Sequence, residues 1–232
     1  LANAASLASL VAGSYASSSL SAGDLVLVVQ MQGAQIDTTD AVSYGTVTNL
    51  GSAGLYELVP VASVSGNTVF VDLAQKPGGL QHPYTVAGKT QIVRVPRYRD
   101  LTIATGASLV APAWNGSTGG VLALTVQGEL TVDGRIDVSG LGFRGGVYEN
   151  NSAATGSNVV IYRSTDAAQG GTKGEGIAGW PLDLSTGAYG RGAPANGGGG
   201  GNAHNAGGGG GANGDNGLVW DGQGMWSSDA AW

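Results

Sequence analysis

Two runs of five glycines, Gly197–Gly201 and Gly207–Gly211, constrain the folding of this chain more than any other feature of its sequence. Only Asn202-Ala-His-Asn-Ala206 separates them, and twelve of the twenty-one residues from 197 to 217 are glycine. Ordering a glycine costs about 0.5–1 kcal/mol more than ordering an alanine. Twelve of them cost on the order of 6–12 kcal/mol extra, with no side chains to bury in return. Such a tract is either a flexible linker or a place where main chains pack together with their amides and carbonyls bonded. We expect the second arrangement: extended segments with three residues per turn, side by side through N–H···O and Cα–H···O contacts. The competing arrangement is a set of ordered glycine-rich loops lying on a β unit.

The rest of the chain reads as β structure. Residues 1–97 alternate apolar runs with turn clusters and predict a small β-sandwich or barrel. Asp24–Met31 is a continuous apolar run bounded by Gly23 and Gly33. Leu55–Val64 and Thr68–Leu73 flank Ser65-Gly66-Asn67, which predicts a hairpin. Pro60 lies inside the first of these strands, where the missing N–H predicts an edge position or a bulge. Gln91–Val95 is a further strand, ended by Pro96. Residues 98–146 have a shorter rhythm: Leu101–Ile103, Ser108–Val110, Val121–Val126, Glu129–Val132 and Arg135–Val138, with Asp133-Gly134 read as a tight turn. Strands this short suit successive sides of a stacked coil, and predict a short β-helix-like unit. Residues 147–232 form the glycine-rich region; 27 of the 43 glycines fall between Gly140 and Trp232.

Charge and cysteine narrow the function. The chain has no cysteine, which removes disulfides, thiolate catalysis and zinc–thiolate sites. Charged residues make up 11% of it, against about 25% in an ordinary soluble domain. With a net charge of −6, it is a poor partner for a nucleic-acid backbone. No apolar stretch is long enough to span a membrane. Small polar residues and glycine at low charge fit extracellular β-fibrous material, so we expect a secreted or cell-surface location. The chain begins at Leu1 without a basic leader and stops at Trp232 without a cap signal, and a processed piece of something longer is expected.

Little in the sequence carries chemistry. Asp37 and Asp40 are the weak calcium candidates, competing with a turn or cap role. Asp133 and Asp137 form a carboxylate pair only if the turn reading fails. His82 and His204 are too far apart to suggest a metal site; His204, at the centre of the glycine tract, suits hydrogen bonding across it. Arg94, Arg97 and Arg99 are the one dense basic stretch, either contacting an acidic glycan or protecting a strand edge. Four glutamates, at 57, 129, 149 and 175, leave little for a two-carboxylate glycosidase. Trp180, Trp220, Trp226 and Trp232 concentrate late, as anchors for glycine-rich loops or interface hot spots. Packing and assembly residues are therefore expected to be Gly197, Gly199, Gly201, Gly207, Gly209 and Gly211, with His204 and these four tryptophans.

Several stretches, taken whole, carry a family resemblance. They are Gly23-Asp-Leu-Val-Leu-Val-Val-Gln-Met-Gln-Gly-Ala-Gln-Ile-Asp37 leading to Tyr44-Gly45, then Val93-Arg-Val-Pro-Arg-Tyr98 and Leu109-Val-Ala-Pro-Ala-Trp-Asn-Gly116. Asp137-Val-Ser-Gly-Leu-Gly-Phe-Arg-Gly-Gly146, Gly174-Glu-Gly-Ile-Ala-Gly179 and Gly190-Arg-Gly-Ala-Pro-Ala-Asn-Gly197 complete the pattern. Together they resemble the N-terminal region of very large glycine-rich bacterial surface proteins, labelled gliding-motility-associated or adhesin-like. The glycine runs are also similar in composition to the polyglycine bundles of phage tail adhesins. The resemblance implies an extracellular structural or adhesive module, without catalysis or cofactor. It would self-associate through β edges and the glycine-rich region, or assemble with other domains of a larger surface protein, and possible ligands are surface glycans. The rival expectation is a polysaccharide-binding or polysaccharide-cleaving β-helix.

Overall fold

The computed structural model describes residues 19–149, 161–167, 170–180, 187–201 and 207–210. They are built of strands, turns and extended segments, with almost no helix. The chain is all-β. No helix among the described residues is long and apolar enough to cross a membrane. The strands are β1 (Leu25–Gln30), β2 (Gln35–Ile36), β3 (Val47–Asn49), β4 (Tyr56–Ser65), β5 (Thr68–Val71) and β6 (Thr90–Arg94). Six short ones follow: β7 (Arg97–Tyr98), β8 (Leu101–Ile103), β9 (Ser108–Leu109), β10 (Thr125–Val126), β11 (Leu130–Val132) and β12 (Arg135–Ile136).

Two compact units form, each from two stretches of sequence. One is Leu1–Met31 with Gly54–Gly142, the other Gln32–Ala53 with Phe143–Trp232. This grouping differs from the compositional zones 1–97, 98–146 and 147–232. Residues 32–53 sit amid strand-rich sequence, yet the amides of Gly33 and Ala34 bond the Ile177 carbonyl, inside the glycine-rich unit.

In the first unit, where strand spacing predicts a sandwich or barrel, the longer strands make one antiparallel sheet in the order β5-β4-β1-β6. Period-two alternation in β1 buries Val26, Val28 and Gln30 on one face. Val26 and Val28 pack with Val59, Val61 and Ile92, and Leu20, Val64, Val69, Val71, Leu80 and Tyr84 surround them. The β4–β5 hairpin turns at Gly66, whose φ of 55° is one that L-residues rarely adopt.

Pro60 lies in a central strand, next to a bulge. Its carbonyl accepts from the Asp72 amide, so its missing donor also faces the β5 side. There the register shifts between Val61 and Ser63, and no regular ladder bond is lost.

The short strands stack in pairs. β7, β8 and β9 are followed by β10, β11 and β12, which lie on them in parallel: Arg97 beside Thr125, Leu101 beside Leu130, Ser108 beside Arg135. Leu130, Val132 and Ile136 repeat over Leu101, Ile103 and Leu109. Glycines sit where one layer's bends cross the other's. A Cβ on Gly134 would come within 3.0 Å of the Ala104 and Ala107 carbonyl oxygens, and one on Gly128 would strike Asp100. Asp133-Gly134 is the bend between β11 and β12, and Gly134 serves close stacking there rather than a left-handed backbone.

Glu57 is a buried carboxylate, and it makes the sheet unit acid-sensitive. It accepts from the amides of Gln81, at 3.0 and 3.2 Å, and His82, at 3.3 Å, and pairs with Lys76 at 2.8 Å. Burial pushes its pKa up, but the Lys76 ammonium and the Gln81 amide outweigh that and hold the carboxyl below its ordinary value. A lowered folded-state pKa contributes stability that is present above the unfolded value and is lost as pH falls through the folded one. Glu57→Gln is therefore expected to cost about 1.5–3 kcal/mol at pH 7 and far less at pH 3. Urea unfolding of both proteins at the two pH values measures this; an equal loss at pH 3 contradicts it.

Candidate functional site

The second unit has very little aliphatic sequence to bury, so backbone and a few polar side chains take the place of a hydrophobic core. Its central segment is Gly171-Thr-Lys-Gly-Glu-Gly176. Amides along it point in turn to different neighbours. Thr172 donates to Val147, Lys173 to Ala188, Gly174 to Gly198, and Glu175 returns to the first neighbour at Arg144, each at 2.8 Å. The outer segments bond each other as well. Gly146 donates to Gly209, Gly209 to Gly199 and Gly200 to Gly190, while Gly201 donates back to Gly171 of the central segment.

Separations this small admit only glycine at many positions. A Cβ on Gly174 would lie 2.7 Å from the Gly209 oxygen and 2.8 Å from the Gly198 nitrogen. On Gly198 it would strike the Gly209 carbonyl, on Gly200 the Gly171 and Gly190 oxygens, and on Gly208 the Thr172 oxygen. Gly45, with φ +86°, faces the Ala193 carbonyl in the same way. By contrast, Gly207 and Gly210 have nothing within 4 Å of such a Cβ.

Two charged side chains of the central segment pin the array. Lys173 is fully buried. Its ammonium donates to the Tyr162 oxygen at 2.6 Å, the Gly190 oxygen at 2.9 Å and the Gly192 oxygen, and lies 4.3 Å from the centre of the Tyr44 ring. All three N–H donors are thus engaged. Burial pushes the amine's pKa down to about 7, and the Asp40 charge acts in the opposite direction. Three carbonyl acceptors in place also favour the ammonium, since a neutral amine has only two protons to give.

Glu175 is equally buried. Arg144 grips it with Nε at 2.8 Å and Nη2 at 3.1 Å, the Arg144 amide adds a bond at 3.2 Å, and Gln32 donates from its side chain at 2.8 Å. The guanidinium stacks on Trp180, 4.1 Å from the ring centre. A buried charge is tolerated where partners fill its bonding positions, and both groups meet that condition. This arrangement holds main chain together, with its charges fully committed to partners.

The residues expected from sequence are placed as follows. Gly197, Gly199, Gly201 and Gly209 lie in the packed segments, and Trp180 supports Arg144. Gly211, His204, Trp220, Trp226 and Trp232 lie outside the described residues. Asp37 accepts from the Thr39 amide at 2.8 Å and hydroxyl at 2.7 Å, and Asp40 from the Tyr162 and Arg163 amides at 2.7 and 3.0 Å. Among the described residues no group of three or more His, Cys, Asp or Glu is placed to hold a metal ion. Arg94 pairs with Asp24 at 2.7 Å and Arg97 donates to the Gly23 carbonyl at 2.6 Å, while the Arg99 side chain projects into solvent. Asp137 caps the Ser139 amide at 2.9 Å.

Sequence reasoning missed Lys173, Glu175, Arg144, Gln32 and Tyr44. One signal was present: Lys173 and Glu175 alternate with glycine in a chain where only 11% of residues are charged.

Fold and site together define an all-β chain with a backbone-packed, glycine-rich unit. No known protein family, curated protein or solved structure matches it detectably.

Proposed function

We propose that this chain is an extracellular structural or adhesive module, related to the large glycine-rich surface proteins that its sequence resembles, with no catalytic role. It works as a rigid spacer and assembly element, joining copies of itself or other domains of a larger surface protein through strand edges and the glycine-rich region. The stacked short strands are two turns of a β-helix-like coil. The glycine-rich segments are a polyglycine II bundle, an array of three-residue-per-turn chains bonded in several directions.

The observation that carries this reading is the direction of the amides along Thr172–Glu175. Three successive donors address three different segments and the fourth returns to the first, which is the bonding of a three-fold extended chain. An array held this way gains rigidity mainly from its backbone bonds, and it suits a part whose task is mechanical.

Negative-stain electron microscopy of the purified chain, with a glycan array and a reducing-sugar assay, tests the role. We expect filaments or ordered particles, with or without glycan binding, and no sugar release. Turnover of a polysaccharide that is abolished by Asp133→Asn or Asp137→Asn would establish the polysaccharide-cleaving alternative in its place.

A further inference from the structure

Among the described residues nothing covers the outer layer of the stacked strands, and β11 and β12 pair on one side only, with β8 and β9. The amides of Asp133, Arg135 and Asp137 bond down to Ile103, Ala107 and Leu109 of the layer below. Backbone groups of successive strand residues point to opposite sides, so those of Leu130, Val132 and Ile136 face the open edge. The side chains are open too. Leu130, Val132 and Ile136 are 43%, 45% and 47% exposed, whereas Ile103, which Val132 covers, is 6% exposed. A bare strand edge beside a bare apolar row is a template for another strand. Stacked repeats ordinarily end in a polar cap, and among the described residues this layer has none.

Charge selects the occupant. Glu129, Asp133 and Asp137 flank the edge against the single guanidinium of Arg135. A second copy laid edge to edge would bring the same carboxylates together, and like charges directly opposed across strands are destabilising. We propose that this edge docks an extended, basic segment of another protein, added as a third strand layer. Its apolar residues cover Leu130, Val132 and Ile136, and its Lys or Arg side chains lie beside Glu129, Asp133 and Asp137. The inference goes beyond the structural role proposed above, which leaves the partner's chemistry open, and it does not depend on the glycine-rich unit.

The test uses the full chain and a fluorescein-labelled peptide, Lys-Leu-Thr-Val-Lys-Gly-Arg-Ile-Lys-Val, which follows residues 129–138 with the three acidic positions made lysine. Its control is the unchanged 129–138 sequence. By fluorescence anisotropy the lysine peptide is expected to bind with a Kd on the order of 10–100 μM, and the control at least about tenfold more weakly. Leu130→Lys and Ile136→Lys should each weaken lysine-peptide binding about tenfold or more, with an unchanged urea midpoint because both sites are exposed. Arg135→Glu keeps the edge intact and adds acid, so it should strengthen binding by about two- to fivefold at low salt. Equal binding of the two peptides, no binding at 1 mM peptide, or indifference to all three substitutions overturns the proposal. A dimer in sedimentation that Leu130→Lys abolishes assigns the edge to a second copy and overturns it equally.

Discussion

Gly198→Ala is expected to disrupt the glycine-rich unit, while Gly210→Ala, twelve positions on in the same tract, leaves it intact. The two substitutions are identical in chemistry, and neither glycine has a left-handed φ. They differ only in what the added methyl meets. At Gly198 it lands on the carbonyl and Cα of Gly209, all within 3.0 Å and all backbone, so no side-chain rotation can relieve the clash. Segments 197–201 and 207–210 must separate, breaking the Gly209-to-Gly199 bond and straining those from Gly174 and to Gly190. Overpacking a well-packed site costs about 1–3 kcal/mol, and more where only main chain can give way. At Gly210 nothing lies within 4 Å, and alanine in the same backbone conformation reduces the entropy of the unfolded chain, worth about 0.4–1 kcal/mol in favour of folding. Hydrogen exchange at the amides of Gly174, Gly200 and Gly209 reads the difference. Protection retained in Gly198→Ala, or lost equally in both variants, would refute close backbone packing of the tract.

Lys173→Met should be at least as damaging, for an electrostatic reason. Methionine matches the length of the aliphatic stem but leaves the carbonyls of Tyr162, Gly190 and Gly192 without their shared donor, and the Tyr44 ring without its cation. Each buried polar group stripped of its partner costs about 1–3 kcal/mol. The total expected is on the order of 3–5 kcal/mol, a large fraction of the 5–15 kcal/mol that stabilises an ordinary domain. At about 2–4 °C per kcal/mol, the unit's melting temperature should fall by roughly 6–20 °C. Lys173→Arg is not expected to rescue, because a planar fork cannot present three donors to acceptors arranged around one ammonium. Calorimetry on the three proteins decides it: a methionine variant as stable as the parent would show that the cage contributes nothing.

Both results turn on features of unequal legibility. The hairpin around Gly66, the strand at Leu25–Gln30 and the short strands between 98 and 146 were legible, because continuous apolar runs and turn residues act locally. Zone boundaries were not. Residues 32–53 have ordinary strand-and-turn composition, and only the bonds from Gly33 and Ala34 to Ile177 assign them to the glycine-rich unit. The partners of Lys173 were equally hidden, since backbone carbonyls at 162, 190 and 192 leave no trace in residue identity.

What the sequence by itself determined is the class of solution. A tract with twelve glycines in twenty-one residues has few side chains to bury, so it can be ordered only by main-chain bonding, and short apolar runs between turn clusters elsewhere commit the remainder to strands. The tertiary structure alone decided which glycines are irreplaceable. Gly198, Gly200 and Gly208 stand where another backbone passes, and Gly207 and Gly210 stand in open space, although the runs read identically. The physical reason is that close approach belongs to pairs of segments distant in the chain, and a residue without a side chain carries no mark of what lies beside it.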